Sequence, residues 1–411
     1  MPIPAPPVRP RKRQASGQVA ASIPRRAGRR PIRVLAPASP VVDPRPRDSS
    51  VTSVLLQRLY VGRSNDVIAG RYNVRGRIGH GSFGTVVKAV DKITGTAVAI
   101  KFLHKDDDVN PDPHIEEQMY QKLLAGCNPH VDLFAGVLGS GNHHGFHYTI
   151  FELCGGTLYE LVQGYCGLMP LPARHLVEIA YQVVTAIGYL HSIGIVHTDI
   201  KPDNVAFRMR DTVKVRWLDT MTGFHEKEIL VCTQICILDL GNAVELRGKP
   251  SHGQIGAQGY RAPEVVLGLP WSYTVDMFSI GCLITELYIM SELFGRDIGC
   301  DEEYLAAIDR MLGPFPAAYA RRIEAKRPGT FVIADKVSIR YPALDDGPPN
   351  ADDAEAFRRL EHLRPLAAQI HDIVLFDLLS HLMAPDPSRR VALDIIAKHK
   401  YFDCLCKLHL Q

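Results

Sequence analysis

No stretch of about 18 uncharged apolar residues occurs in the sequence, so no membrane-spanning helix is expected. The N-terminus lacks an apolar segment of the kind that drives secretion, so a signal peptide is not expected. Cysteine is sparse and scattered. There are nine, an odd number, and no C-x-x-C pair recurs. A disulfide framework or a zinc site built on them is therefore not expected, and a reducing compartment is the default. No internal repeat is visible. Net charge is small, +3, in a chain that is 46% apolar and 22% charged. That composition is ordinary for a globular protein and sets aside collagen-like, coiled-coil and wholly disordered chains. With 411 residues the chain divides into two or three compact units and can bury a large core without disulfides or metal.

The small net charge hides an asymmetry. Residues 1–50 hold eleven of the 47 lysines and arginines, two of the 44 acids and eleven of the 29 prolines. Proline removes backbone donors and the arginines repel one another, so this arm is expected to be disordered. The run Arg9-Pro10-Arg11-Lys12-Arg13 reads as a nuclear import signal, a polyanion contact or a solubilising tail. A mitochondrial presequence ranks last, because prolines oppose an amphipathic helix. Residues 51–71 read as a lead-in segment, and the remainder of the chain is net acidic.

From about Arg71 the texture changes. Thr85–Ala89 and Ala97–Lys101 are rich in β-branched residues and read as strands. Ile115–Leu124 has a helical pattern, and Tyr148–Leu153 suits a buried strand. Beyond Pro172 the chain reads as mostly helical. Leu176, Ile179, Ala180, Val183, Val184, Ile187 and Leu190 recur at steps of three and four. Val275–Met290 is almost continuously apolar, as a central buried helix would be. Ile373–Met383 is a further amphipathic helix. The coarse expectation is a β-rich lobe before about residue 155 and a larger helical lobe after it.

Several clusters could carry chemistry. Gly79-His80-Gly81-Ser82-Phe83-Gly84-Thr85-Val86 is a glycine-rich turn. Alone it is either a tight hairpin or a phosphate cradle. A strand follows it rather than a helix, which argues against a dinucleotide fold. Missing side chains would let backbone amides approach anionic oxygens. Lys101 ends an apolar strand, where it either snorkels or meets an anion. His197-Thr198-Asp199-Ile200-Lys201-Pro202-Asp203-Asn204 places acids, a lysine and an amide in a few positions. It reads as a solvated loop, or as a base, a cation and a metal ligand held together. Asp239, in Ile237-Leu238-Asp239-Leu240-Gly241, sits as a metal-binding acid would after a short strand. Tyr260-Arg261-Ala262-Pro263-Glu264 then precedes the apolar helix that carries Asp276.

Taken in order and at these spacings, the five clusters resemble the signature set of the eukaryotic protein kinases over roughly residues 72–403. The resemblance implies an α+β, bilobal fold, with a small β-rich N-lobe (about 72–153) carrying a helix αC and a larger, mainly helical C-lobe (about 155–403). It implies an insert at about 294–365 and a tail at 404–411. It also implies a Ser/Thr kinase, with dual specificity open, that uses ATP and Mg²⁺.

Carried onto this sequence, the turn of Ile78, Gly79, His80, Gly81, Ser82, Phe83, Gly84 and Val86 covers ATP. Lys101 holds its phosphates and pairs with a helix αC glutamate. Glu116 is preferred over Glu117 for that pairing, because Met119, Tyr120 and Leu123 then complete an apolar face at +3, +4 and +7. Asp199 matches the catalytic aspartate and Lys201 the lysine near the transferring phosphoryl group. Asn204 and Asp239 match the Mg²⁺ ligands. Phe151 guards the back of the adenine pocket. Glu152 and Cys154 offer it backbone hydrogen bonds, Val86 and Ala99 cover it, and Ala206 forms its floor. Glu264 is expected to brace the large lobe by pairing with Arg390.

Within the kinases, His197-Thr198-Asp199 resembles the SR-protein kinases and the LAMMER (Clk-type) kinases, and Asp239-Leu240-Gly241-Asn242-Ala243 resembles the SR-protein kinases. The long Val205–Cys236 segment and Tyr304–Pro314 are similar to the LAMMER (Clk-type) branch of the CMGC group, and Trp271-Ser272 and Ser279–Cys282 also fit. The implied partners are basic Arg/Ser-rich protein substrates such as splicing factors. Neither direct nucleic-acid binding nor a membrane is required. The implied state is a monomer, in the nucleus or cytoplasm. Three departures stand out. Thr198 removes the arginine that reads an activation-loop phosphate, and Asp239–Glu264 offers only Ser251 and Tyr260 as hydroxyls, so activity is not expected to need loop phosphorylation. Ala257 replaces a threonine that bonds the catalytic Asp and Lys. Ala206 replaces a larger residue, a loss on the order of 1–2 kcal/mol of nucleotide contact. These departures leave a pseudokinase scaffold as the alternative.

Overall fold

Alternating apolar positions build the first layer. In the computed structural model, strands Val67–Ile68 (β1), Tyr72–His80 (β2), Gly84–Asp91 (β3), Ala97–Leu103 (β4), Val137–His143 (β5) and Phe146–Glu152 (β6) form one sheet, ordered β1-β2-β3-β4-β6-β5. The structure describes residues 60, 62–81, 84–105, 114–126, 128–164, 167–219, 223–295, 298–341 and 351–406. Along β4, Val98, Ile100 and Phe102 are buried on one face. They pack with Tyr60, Ile68, Tyr72, Val74, Val87, Ala89 and Tyr148 into a core of their own. The period of two then turns Ala99, Lys101 and Leu103 to the opposite face. Helix Ile115–Leu124 (α1) buries Glu116, Met119, Tyr120 and Leu123.

The second core is helical. Helix Ala173–Ser192 (α2) buries the expected stripe from Leu176 to Leu190. It packs against Thr274–Ile289 (α3), whose residues 275–287 are all buried. Short ribbons hold the loops between these helices. Ile195–Val196 (β7) pairs with Val244–Glu245, and Val205–Phe207 (β8) pairs with Ile235–Ile237. Asp301–Leu312 (α4), Ala351–His362 (α5) and Ile373–Leu382 (α6) complete the larger part. Glu303 of α4 is clamped by Arg359 of α5 through bonds of 2.7 and 2.9 Å.

Three features depart from the sequence reading. Thr212–Asp219 and Gly223–Leu230 pair as an eight-residue antiparallel hairpin, where the chain past Pro172 reads as mostly helical. The signal was present as Val213 and Val215 alternating with Lys214 and Arg216, a period of two. Second, β1 pairs Val67 with Asn73 and Ile68 with Tyr72, and Tyr60 stacks on Phe102 at 3.8 Å. The lead-in segment 51–71 therefore contributes to the sheet from before residue 72. Third, helix Asp403–Cys406 runs across the expected start of the tail at 404. The basic arm, Ser82 and Phe83 lie outside the described residues.

Candidate functional site

The register of the sheet places Lys101. Val86 of β3 and Thr149 of β6 flank it on either side, and Ala99 stands opposite Phe151. Its side chain meets α1, where Glu116 Oε1 and Oε2 lie 3.2 and 3.1 Å from Nζ. Asp239, just past the strand Ile235–Ile237, accepts a third bond at 2.6 Å. Glu117 is not at this point. Burial opposes the Lys101 charge, but the Glu116 and Asp239 carboxylates outweigh it and hold its pKa above the usual lysine value. Burial pushes the Glu116 carboxyl up, whereas Asp239, although also desolvated, is drawn down by Lys101. Two carboxylates thus share one ammonium.

The second half of the site lies between β7 and β8. Lys201 Nζ donates to Asp199 Oδ2 at 2.7 Å. Asn204 Nδ2 donates to the Asp199 carbonyl at 2.8 Å and to its Oδ2 at 3.0 Å. Asp276 of α3 fixes this loop from below, which its sequence position does not reveal. It accepts His197 N and Thr198 N, both at 2.8 Å, and lies 2.9 Å from His191 Nε2. His197 donates from Nε2 to the Leu238 carbonyl at 3.0 Å and accepts Asp199 N on Nδ1 at 3.3 Å, so the neutral ring ties the two loops together. Thr198 adopts a left-handed φ of 70° and donates its hydroxyl to the Asn242 carbonyl at 2.8 Å. The threonine side chain thereby holds the loop.

Of the residues expected around adenine, Ala206 pairs with Cys236 and Ala99 with Phe151. Phe151 is buried and tilted against Tyr120 of α1, with ring centroids 5.8 Å apart. Ala206 is buried, Val86, Ala99 and Cys154 are half-buried, and Ile78 is exposed. Gly79 and His80 pair with Val86 and Thr85, and Gly81 N closes the turn on the Gly84 carbonyl at 3.0 Å. A Cβ at Gly84 would meet the Phe102 carbonyl at 2.3 Å, so the turn needs glycine there, whereas Gly81 opens onto free space. Glu152 uses its side chain on Arg208 at 2.6 Å and on Gly136 N at 3.0 Å, and its own N–H donates to the Gly136 carbonyl at 2.9 Å.

The donor set suits the group that the resemblance implies. Asn204 spends its amide N–H groups on Asp199, so Oδ1 remains as its electron-pair donor. The Asp239 carboxylate is held ionised. Hard oxygens of this kind match Mg²⁺.

Beside Lys201 lies a cavity of ≈ 370 Å³, lined among others by Asp203, Ala257, Tyr260, Glu286 and Glu292. Sequence reasoning did not locate it, because its acids come from distant segments. Tyr260 donates to Glu286 Oε2 at 2.5 Å, and Leu293 N donates to Oε1 at 2.9 Å. Burial pushes the Glu286 carboxyl up to about 7. Farther away, Arg390 forks onto Glu264 at 2.7 and 2.8 Å.

The model of the protein kinase domain matches residues 72–402. Mouse dual specificity protein kinase CLK4 is 29% identical over 84% of this chain and 68% of its own. Dual specificity protein kinase lkh1 of Schizosaccharomyces pombe is 26% identical over 82% of this chain and 48% of its own. Serine/threonine-protein kinase AFC2 of Arabidopsis thaliana is 27% identical over 84% and 79%. A crystal structure of a kinase domain superposes with a TM-score of 0.70 at 21% identity, over 84% of this chain and 99% of that one, which shows the shared fold.

Proposed function

The chain belongs to the protein kinase family and is an ATP-dependent protein kinase, and we propose that it phosphorylates serine and threonine in arginine-rich proteins, splicing factors among them, with tyrosine as a further acceptor. The observation that carries the substrate class is the acidic cavity beside Lys201. Asp203, Glu286 and Glu292 converge there, next to the loop that holds Asp199. Paired carboxylates in a partly desolvated pocket match the fork of a guanidinium better than an apolar or acidic side chain. Relatives named dual specificity kinases support the wider acceptor range.

The family uses ATP with Mg²⁺, and in this chain Asn204 and Asp239 would hold the metal. Lys101, steadied by Glu116, and the turn from Ile78 to Val86 would hold the phosphates. Bound Mg-ATP supplies the phosphoryl group and neutralises charge on its oxygens. Asp199 orients the acceptor hydroxyl and takes its proton on a carboxylate oxygen. Lys201, 2.7 Å from that carboxylate, places positive charge beside the transferred group. Phe151, the Glu152 and Cys154 backbone, Val86, Ala99 and Ala206 would enclose adenine. The scaffold alternative draws no support from the family match.

We take residues 72–403 as the catalytic unit and the basic arm as a localisation segment for the nucleus or cytoplasm. No helix among the described residues is long and apolar enough to cross a membrane. The test is phosphate transfer from labelled Mg-ATP to an Arg-Ser repeat peptide, a Pro-directed peptide and myelin basic protein, with Asp239→Asn as control. Transfer that favours the Arg-Ser peptide, and whose KM rises in Asp203→Asn with Glu292→Gln, is expected. Preference for the Pro-directed peptide would overturn the substrate class.

A further inference from the structure

Beyond the nucleotide cleft, three groups of side chains bring metal-ligating atoms within 4.8 Å of one another. Two are already neutralised from within. In the first, Glu152 is taken by Arg208 at 2.6 Å beside Cys154 and Cys236. In the second, Lys400 lies 3.1 Å from Asp377, between His381 and His399. Tyr401 N also donates to His399 Nδ1 at 3.2 Å, which keeps the proton of the neutral ring on Nε2, the nitrogen that faces Asp377.

The third group differs. It joins the first turn of α1 to β6. Glu117 Oε1 and His147 Nε2 are both buried without a hydrogen-bond partner, although they lie only 3.4 Å apart. The two atoms face each other as a loose ion pair. His114 Nδ1 lies 3.4 Å from Glu117 Oε2 on the open side of the same carboxylate. Both separations are long for a hydrogen bond. Each of the three residues offers one ligand atom within 4.8 Å of the other two.

We propose that His114, Glu117 and His147 bind a Zn²⁺ ion, with water as the fourth ligand, and that the ion pins α1 to β6. Two imidazoles and a carboxylate suit Zn²⁺ and not Mg²⁺, which prefers oxygen. The helix N-terminus opposes a cation only weakly. The position matters because Glu116, the neighbouring residue on α1, holds Lys101. An ion at Glu117 fixes the turn of helix that carries that contact.

The test uses the full chain, stripped with chelator and then supplied with excess Mg²⁺ to saturate oxygen sites. Zn²⁺ is titrated by calorimetry, and Co²⁺ is followed by its visible d–d bands. We expect one Zn²⁺ per chain, a four-coordinate Co²⁺ spectrum and a rise in melting temperature with Zn²⁺. His147→Ala and Glu117→Gln should each weaken binding at least about tenfold and remove the spectrum. His114→Ala, at an exposed ring, is the second variant should His147→Ala fail to fold. His381→Ala should bind as the parent does. Equal binding by the parent and the His114→Ala, Glu117→Gln double variant would overturn the proposal, as would loss of binding in His381→Ala. Neither result bears on the kinase reading, which Asp239→Asn tests separately.

Discussion

The Glu264–Arg390 pair and the Lys101–Glu116–Asp239 group are both buried ion clusters, but only the first is balanced. Glu264 and Arg390 match one charge to one charge through two parallel bonds, with side chains 1% and 0% exposed. The remaining guanidinium donors reach the Thr274 and Ala384 carbonyls, both at 2.9 Å. The pair carries no surplus charge. Around Lys101 two carboxylates share one ammonium, and Asp239 keeps 26% of its side chain open. A closed, neutral cluster braces a fold. An open cluster with surplus negative charge is poised for a further cation.

The sharpest way to break this contrast is to test each side for the other's effect. Asp199→Asn, in the loop that His197 ties to the segment carrying Asp239, should lower kcat by about 10²–10⁴-fold with an unchanged denaturation curve. Arg390→Ala should do the reverse. It strands the Glu264 charge in the interior and should cost about 3–5 kcal/mol in urea unfolding, with the surviving folded fraction still active. If Arg390→Ala left stability intact, the brace would be no brace.

Glu286 is a third arrangement, a buried carboxylate that accepts from the Tyr260 hydroxyl and the Leu293 amide. Desolvation raises its pKa to about 7, so it is neutral below that pH and charged above it. A cationic substrate should therefore bind more tightly as pH rises through about 7, seen as a falling KM for the Arg-Ser peptide. Glu286→Gln should flatten that slope and leave kcat for a non-basic peptide unchanged. A parent KM that does not change with pH would remove Glu286 from substrate recognition. The smallest effect expected is at Ala257→Thr, which restores a hydroxyl beside Lys201. One added hydrogen bond is worth about 1 kcal/mol, or about fivefold in kcat/KM. A fall in activity would show that the cavity needs the space.

Much of the site is legible locally. The face of α1 that carries Glu116 follows from apolar residues at three- and four-residue steps, and the face of β4 that carries Lys101 follows from a period of two. The hairpin at 212–230 was legible by the same period but sits in a stretch whose neighbours read as helix. Asp276 was not legible as the anchor of the His197–Thr198 backbone, because an acid inside an apolar helix carries no mark of what it will face.

The sequence alone determined the order of the clusters, the glycine-rich turn, the two lobes and the residue types that the chemistry requires, since these rest on local periodicity and on spacing within single segments. Only the tertiary structure decided which charges meet. Lys101 and Asp239 are 138 positions apart. Asp203 and Glu292 line one cavity, and His147 of the inner strand β6 reaches Glu117 of α1. Such meetings depend on strand register and helix packing, where a shift of one residue turns a side chain to the other face. No short window of sequence contains that information.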